Sequence, residues 1–227
     1  MHLKRRTLAA FAAPCLPLTG VGLPLVVYLP PYYAGTLGVD LAVTGIIFSA
    51  VRWLDLPLDL WFGHGIDRTD TRLGRFRPWM LGGGLVMLLG LVMVFFAQPG
   101  ISAAWALLGL FILYAGFSAA QVAHTSWAQA LTTDYHERSR IFGWWQAGNM
   151  IGLIGLLAVP PLAGWLAPRM GWVADRALGV HAMGWVLVAL VPPVLLLVAT
   201  MVPERPPRHA SPHGWADIWA ALKLPLL

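Results

Sequence analysis

The chain has 227 residues, 58% of them hydrophobic and only 11% charged, with a formal net charge of +5. A water-soluble domain of this size carries about 25% charged residues, so there is too little polar surface here to coat a soluble globule. The Lys and Arg residues sit in short segments between apolar runs and form no basic patch interleaved with aromatics, which argues against a nucleic-acid partner and for a lipid bilayer.

Six apolar stretches are long enough to cross a bilayer, for which about 20 residues suffice. They cover about 8–34, 41–63, 79–98, 103–131, 141–167 and 182–202. Backbone polar groups in lipid must bond within their own segment, so the expected fold is all-α: a polytopic six-helix transmembrane bundle over residues 1–202. Lys4, Arg5 and Arg6 ahead of the first stretch mimic a signal peptide, but the apolar run to Tyr33 is too long for one and reads as a first transmembrane helix. That stretch contains Pro14, Pro17, Pro24, Pro30 and Pro31. It is expected to bend beside a water-filled cavity; the plainer reading is the ordinary Pro content of membrane helices. Cys15, the one cysteine, leaves no intrachain disulfide and no Cys-based metal cluster.

The second stretch carries Arg52-Trp53-Leu-Asp55-Leu-Pro57-Leu-Asp59. Asp55 and Asp59 are four apart and share a helix face. Each costs about 2.5–3.5 kcal/mol to place in a membrane helix, and two such neighbours do not both stay ionised without a partner. A bound cation, shared protons or Arg52 can each serve. Pro57 lacks an N–H and deprives the Trp53 carbonyl of its usual donor, adding a third oxygen of the kind a hard cation prefers.

The following loop reads Gly63-x3-Asp67-Arg68-x5-Gly74-Arg75-Phe76-Arg77-Pro78-Trp79. It is a positive-inside loop, or a brace in which Arg pairs with Asp and with helix ends. Gly82-Gly83-Gly84 and Gly148-x3-Gly152-x2-Gly155 suit close helix packing. Polar residues within spans include His124, Gln146 and Asn149; each is a cargo contact or proton relay, or a plain interhelical hydrogen bond. Beyond the sixth span, 203–227 is a Pro-, Arg- and His-rich linker and then an amphipathic segment, leading to a further bundle absent from the chain. With the N-terminus in the cytoplasm, twelve of the fifteen Lys and Arg fall in cytoplasmic segments, which places both termini there. Neither Gly-x-Ser-x-Gly nor His-Glu-x-x-His occurs, so an enzyme is not expected.

The string from Asp55 and Asp59 through Gly63, Asp67, Arg68, Gly74, Arg75 and Arg77 to Trp79 resembles the major facilitator superfamily. Within it, the string is most similar to the glycoside–pentoside–hexuronide cation symporters, over what would be the N-terminal half of a twelve-helix member. Weaker likeness runs through Tyr32-Tyr33, Ser126-Trp127 and Glu137-Arg138. The resemblance implies secondary active symport of a small solute with Na⁺ or H⁺ and no other cofactor. It further implies that Asp55 and Asp59, beside the Trp53 carbonyl already singled out, hold the ion, a metal site for Na⁺ alone, and that Gly63, Asp67, Arg68, Gly74, Arg75 and Arg77 form the cytoplasmic gate. The candidate cargo contacts are Thr19, His124, Trp127, Gln146 and Asn149. The family's charged sugar contacts are replaced: its helix-one aspartate falls on Thr19, its helix-four aspartate on or near Ala123, its helix-five arginine on Gln146. A sugar, a glycoside, a lysolipid or another solute therefore stays open as cargo. The partners implied are the bilayer, by this likeness a bacterial inner membrane, and a second six-helix bundle, without which the chain is an inactive half or an accessory protein.

Overall fold

The structure, a computed structural model, describes residues 3–173 and 175–204. Of the expected linker 203–227, only Pro203 and Glu204 lie within the described residues, and the amphipathic segment lies outside them. Six helices are long and apolar enough to cross a membrane, and among the described residues there is no strand. They are α1 (Arg5–Gly35), α2 (Leu41–Arg68), α3 (Arg77–Phe95), α4 (Ala103–Ala130), α5 (Tyr135–Met170) and α6 (Arg176–Met201).

Helix starts follow capping chemistry rather than hydropathy. Asp40, Ser102, Asp134 and Asp175 each accept a backbone N–H from the first turn of α2, α4, α5 and α6. Hence α5 begins at Tyr135, a turn and a half before its apolar stretch at Ile141. Helix α1 is interrupted twice, as its prolines require. It turns at Ala13–Pro14, and Pro24–Tyr28 forms a π turn closed by the Leu29 N–H on the Pro24 carbonyl.

Glycines set the closest approaches. A Cβ on Gly116 of α4 would lie 2.1 Å from the Met87 nitrogen of α3, and one on Gly90 would lie 2.4 Å from the Leu113 Cα. Gly148 and Gly152 of α5 pack directly on the carbonyls of Ala12 and Leu16 in α1, whereas Gly82 and Gly155 face open space. The core between these pairs is made by Leu110 and Leu113 of α4, Met87 and Leu91 of α3, and Val180 and Leu187 of α6.

Contacts between loops sort the two ends. The Leu3 N–H reaches Glu137 in the first turn of α5, and Glu204 after α6 reaches the α2–α3 loop, so the basic segments share one end. At the other end Gly100 N–H bonds Leu37 C=O, Tyr33 bonds Val94 C=O, and Tyr32 bonds Ala97 C=O and meets His181 at 3.0 Å. The apolar window of α1 is 61% buried, against 22% for α2 and 17% for α5. Helix α1 is thus central, and α2 and α5 flank an uncovered side.

Candidate functional site

On that side α1 is bordered by two open clefts that share Val26. One, of about 530 Å³ between α1, α2 and α4, is lined by Pro30, Phe48, Ser49, Arg52, Trp53 and Tyr114 among others. The other, of about 470 Å³ between α1, α4 and α5, is lined by Thr19, Gly22, Val26, Phe117, Gln121 and Leu153 among others.

Arg52 and Trp53 of α2 line the first cleft, and the carboxylates Asp55 and Asp59 follow them on the same helix without lining it. Asp55 is buried, and its Oδ2 accepts from Arg52 Nη1 at 3.0 Å, while its sealed Oδ1 has no hydrogen-bond partner. Asp59, one turn on and exposed, accepts from the Ser118 hydroxyl of α4. Two carboxylates and one guanidinium leave a net charge of −1, which one monovalent cation or proton neutralises. Pro57 lies inside α2 and offers the Trp53 carbonyl no N–H; the Trp53 side chain is exposed on the cleft. Among the described residues no three His, Cys, Asp or Glu side chains converge. The donor set is therefore two carboxylates with neutral oxygens beside them.

The second cleft holds no ionisable lining residue. Thr19 Oγ1 donates to Asn149 Oδ1 at 2.6 Å, which brings two of the sequence-derived cargo candidates together. Gln146 is exposed on α5 one turn before Asn149. His124 and Trp127 lie elsewhere. His124 is fully buried, its Nε2 2.7 Å from the Phe11 carbonyl at the bend of α1 and its ring stacked on Trp145. Trp127 is buried at the basic end, stacked on Phe76, with its N–H on the Pro203 carbonyl. Ala123 is buried as well, and the polar α4 residue that lines the cleft is Gln121. Sequence reasoning passed over Tyr114, Ser118 and Gln121. Their spacing of four and three places them on one face of α4, a polar stripe in an apolar helix that carried the signal.

At the basic end the α2–α3 loop forms a clamp. Arg75 pairs with Asp67 and donates from Nε to the Ile66 carbonyl at 2.9 Å. Arg77 donates to the Val202 carbonyl at 2.8 Å. Gly74 has φ +104°, and a Cβ there would strike the Glu204 carboxylate. Gly63 is half-buried, and Arg68 is exposed on the last turn of α2. Helix α3 has no local side-chain cap; Glu204, from beyond α6, accepts the N–H groups of Arg75, Phe76 and Arg77 instead. Burial lowers the Arg75 guanidinium from its ordinary range, and the Glu204 charge opposes that. Removing a carboxylate from a helix N-terminus costs about 1–2 kcal/mol. Glu204→Ala is expected to lower the melting temperature of the detergent-purified protein by several degrees and to open the α2–α3 loop to protease, with Glu204→Gln intermediate; unchanged melting would show the cap is idle.

A family model described as MFS/sugar transport protein matches residues 10–223. An uncharacterized symporter, YnaJ, of Bacillus subtilis (strain 168) is 31% identical over 149 residues, 63% of this chain and 32% of that protein. The lactose permease of Lactobacillus delbrueckii subsp. bulgaricus is 28% identical over 169 residues, 70% of this chain and 26% of that protein. The raffinose carrier protein of Pediococcus pentosaceus is 31% identical over 155 residues, 64% of this chain and 24% of that protein. The chain thus spans about a third or less of the length of these curated relatives.

Proposed function

The chain belongs to the MFS/sugar transport protein family, and from that premise we propose that it supplies one six-helix half of a symporter that carries a sugar or glycoside together with Na⁺ or H⁺. The observation that carries this reading is the pair of α2 carboxylates one turn apart, one held by Arg52 and one by Ser118, with a net charge of −1. The ion neutralises that charge. Helix α4 then links ion to cargo: Ser118 touches Asp59, while Phe117 and Gln121 on the neighbouring positions line the second cleft. Cargo seated there holds α4, and through it Ser118, in the ion-binding arrangement.

A second six-helix bundle, from the same polypeptide or a partner chain, covers the α2–α5 side and rocks against this one. The basic end faces the cytoplasm, as the positive-inside rule requires, in a bacterial inner membrane. The α2–α3 clamp with Glu204 closes that end.

The test is uptake into proteoliposomes bearing the native polypeptide, with labelled lactose and raffinose as probes. Accumulation above equilibrium under an inward Na⁺ or proton gradient, abolished by an ionophore, is the expected result. Equal internal and external sugar under every gradient would sink the reading.

A further inference from the structure

We infer that the first turns of α1 and α5 form a binding site for an anionic phospholipid of the cytoplasmic leaflet. Its headgroup phosphate sits among Lys4, Arg5, Arg138 and Arg140, and one acyl chain lies in the groove along Gly143, Trp144 and Ala147. The inference goes beyond the symporter reading and needs neither its ion nor its cargo.

The first argument is charge. Glu137 draws the two helix starts together: its carboxylate accepts the Leu3 N–H at 3.2 Å and pairs with Arg140. The residues next in line, Lys4 and Arg138, are both exposed, as are Arg5 and Arg6. Arg5 precedes Ala12 by seven residues, so it shares the face of α1 on which the Ala12 carbonyl meets Gly148 of α5. Five cations, Lys4, Arg5, Arg6, Arg138 and Arg140, thus stand against two carboxylates, Asp134 and Glu137, which leaves +3 at this corner. Asp134 is engaged by the Glu137 N–H at the start of α5. The Arg140 side chain is 40% exposed, and its bond to Glu137 uses one part of a five-donor fork that also suits a phosphate.

The second argument is the shape of the wall beneath those charges. Arg140, Gly143, Trp144 and Ala147 line a groove of about 400 Å³ on one face of α5. A Cβ on Gly143 would meet nothing within 4 Å, so this glycine keeps the groove open rather than permitting helix contact. Met150, Ile151 and Ile154 lie seven residues beyond Gly143, Trp144 and Ala147, are exposed, and extend the same face. From Gly143 to Ile154 the helix rises about 16 Å, close to half of the ~30 Å hydrocarbon core and so to the depth of one leaflet. Trp144 lies about 6 Å along the axis from Arg140, where an amphipathic ring suits the interface. Guanidinium, indole and apolar track follow one another as phosphate, glycerol backbone and acyl chain do in a lipid.

The third argument is direction. Leu153, the α5 residue that lines the α1–α4–α5 cleft, follows Trp144 by nine residues, which is two and a half turns. The two side chains therefore project from opposite sides of α5. A second bundle seated over the clefts leaves the groove facing lipid. Every phospholipid brings a phosphate, but a choline or ethanolamine cation beside it would be repelled by the +3 surplus. A phosphatidylglycerol headgroup adds no such cation, and basic clusters at the cytoplasmic surface attract anionic lipid.

The experiment is fluorescence quenching of the native polypeptide in phosphatidylcholine vesicles, titrated with dibrominated phosphatidylglycerol or dibrominated phosphatidylcholine. The difference between wild type and Trp144→Phe isolates the signal from the groove. That signal is expected to be half quenched at a mole fraction about fivefold or more lower for phosphatidylglycerol than for phosphatidylcholine, the effect of about one basic residue at the surface. Gly143→Leu, which fills the groove without touching a neighbour, is expected to lose the preference. The double variant Lys4→Gln with Arg138→Gln is expected to lose it too, while leaving the Arg140–Glu137 pair in place. Equal quenching by the two lipids would mean ordinary boundary lipid only and would overturn the inference. So would a Trp144 signal that neither lipid quenches, since another part of the protein would then cover the groove, or an undiminished preference in both variants. Sugar uptake plays no part in this readout, so a failed symporter reading leaves the lipid site standing, and the reverse.

Discussion

Asp59→Asn is expected to reduce gradient-driven uptake about a hundredfold while sparing downhill exchange of cargo. The physical reason is the charge count along this face of α2. Asp55, Asp59 and Arg52 together carry −1, and Arg52 is committed to Asp55 at 3.0 Å. Asparagine at 59 makes the trio neutral, so no ion is needed to bring cargo into the membrane interior, and none is carried with it. The Ser118 hydroxyl retains an amide oxygen as acceptor, so the α2–α4 contact survives and cargo still binds. Asp55→Asn is expected to differ in kind. It removes the partner of Arg52 and leaves a guanidinium facing the first cleft beside Asp59, so that internal cation competes with the coupling ion. Cargo exchange should therefore survive Asp59→Asn better than Asp55→Asn. Counterflow of labelled sugar, compared with uptake under an imposed Na⁺ or proton gradient, separates the two activities. A variant at 59 that still concentrates sugar in step with the gradient would remove the ion from this site.

The six helices were legible in the sequence because lipid leaves a chain little choice. A long apolar run must close its own backbone hydrogen bonds, and hydropathy alone then locates it. The carboxylates of α2 were legible for the same reason, since charge in such a run is costly enough to stand out. Less legible was anything that depends on which way a helix faces. His124 is conspicuous in an apolar helix, yet it turns inward to the carbonyl at the α1 bend, whereas Gln121, three residues earlier, lines the cleft. Thr19 and Asn149 stood out as separate polar residues; that one hydrogen bond joins them across 130 positions is a property of the packed bundle. Glu204 was hidden most completely. It follows the last span in a stretch that reads as a charged linker, and its partners are N–H groups more than 120 residues earlier, which every helix start possesses and no sequence pattern marks.

The pairing of α3 with α4 carries the largest expected effect on stability. Gly116→Ala would place a methyl carbon 2.1 Å from the Met87 nitrogen and 2.7 Å from the Gly83 carbonyl oxygen. Both are backbone atoms of a helix, so no rotamer relieves the clash and the two helices must separate. Separation then costs the neighbouring contacts in turn: Gly83, whose missing Cβ lies 2.7 Å from the Ala120 nitrogen, and Gly90 against Leu113. In lipid there is no hydrophobic force to draw the helices back together, and van der Waals packing across small residues is the main attraction lost. Overpacking typically costs about 1–3 kcal/mol, and a backbone-to-backbone clash belongs at or beyond the top of that range. Gly82→Ala, one position from Gly83 but with nothing within 4 Å, is the matched control and should melt as the wild-type protein does. The consequence reaches the site as well, because α4 carries Tyr114, Ser118 and Gln121. If α3 is the platform that holds α4 in place, Gly116→Ala weakens both ion and cargo binding in the fraction that still folds. Thermal unfolding in detergent together with ²²Na⁺ or proton uptake checks both halves of the argument. A Gly116→Ala protein that melts with Gly82→Ala would show that α3 and α4 do not pack on their glycines.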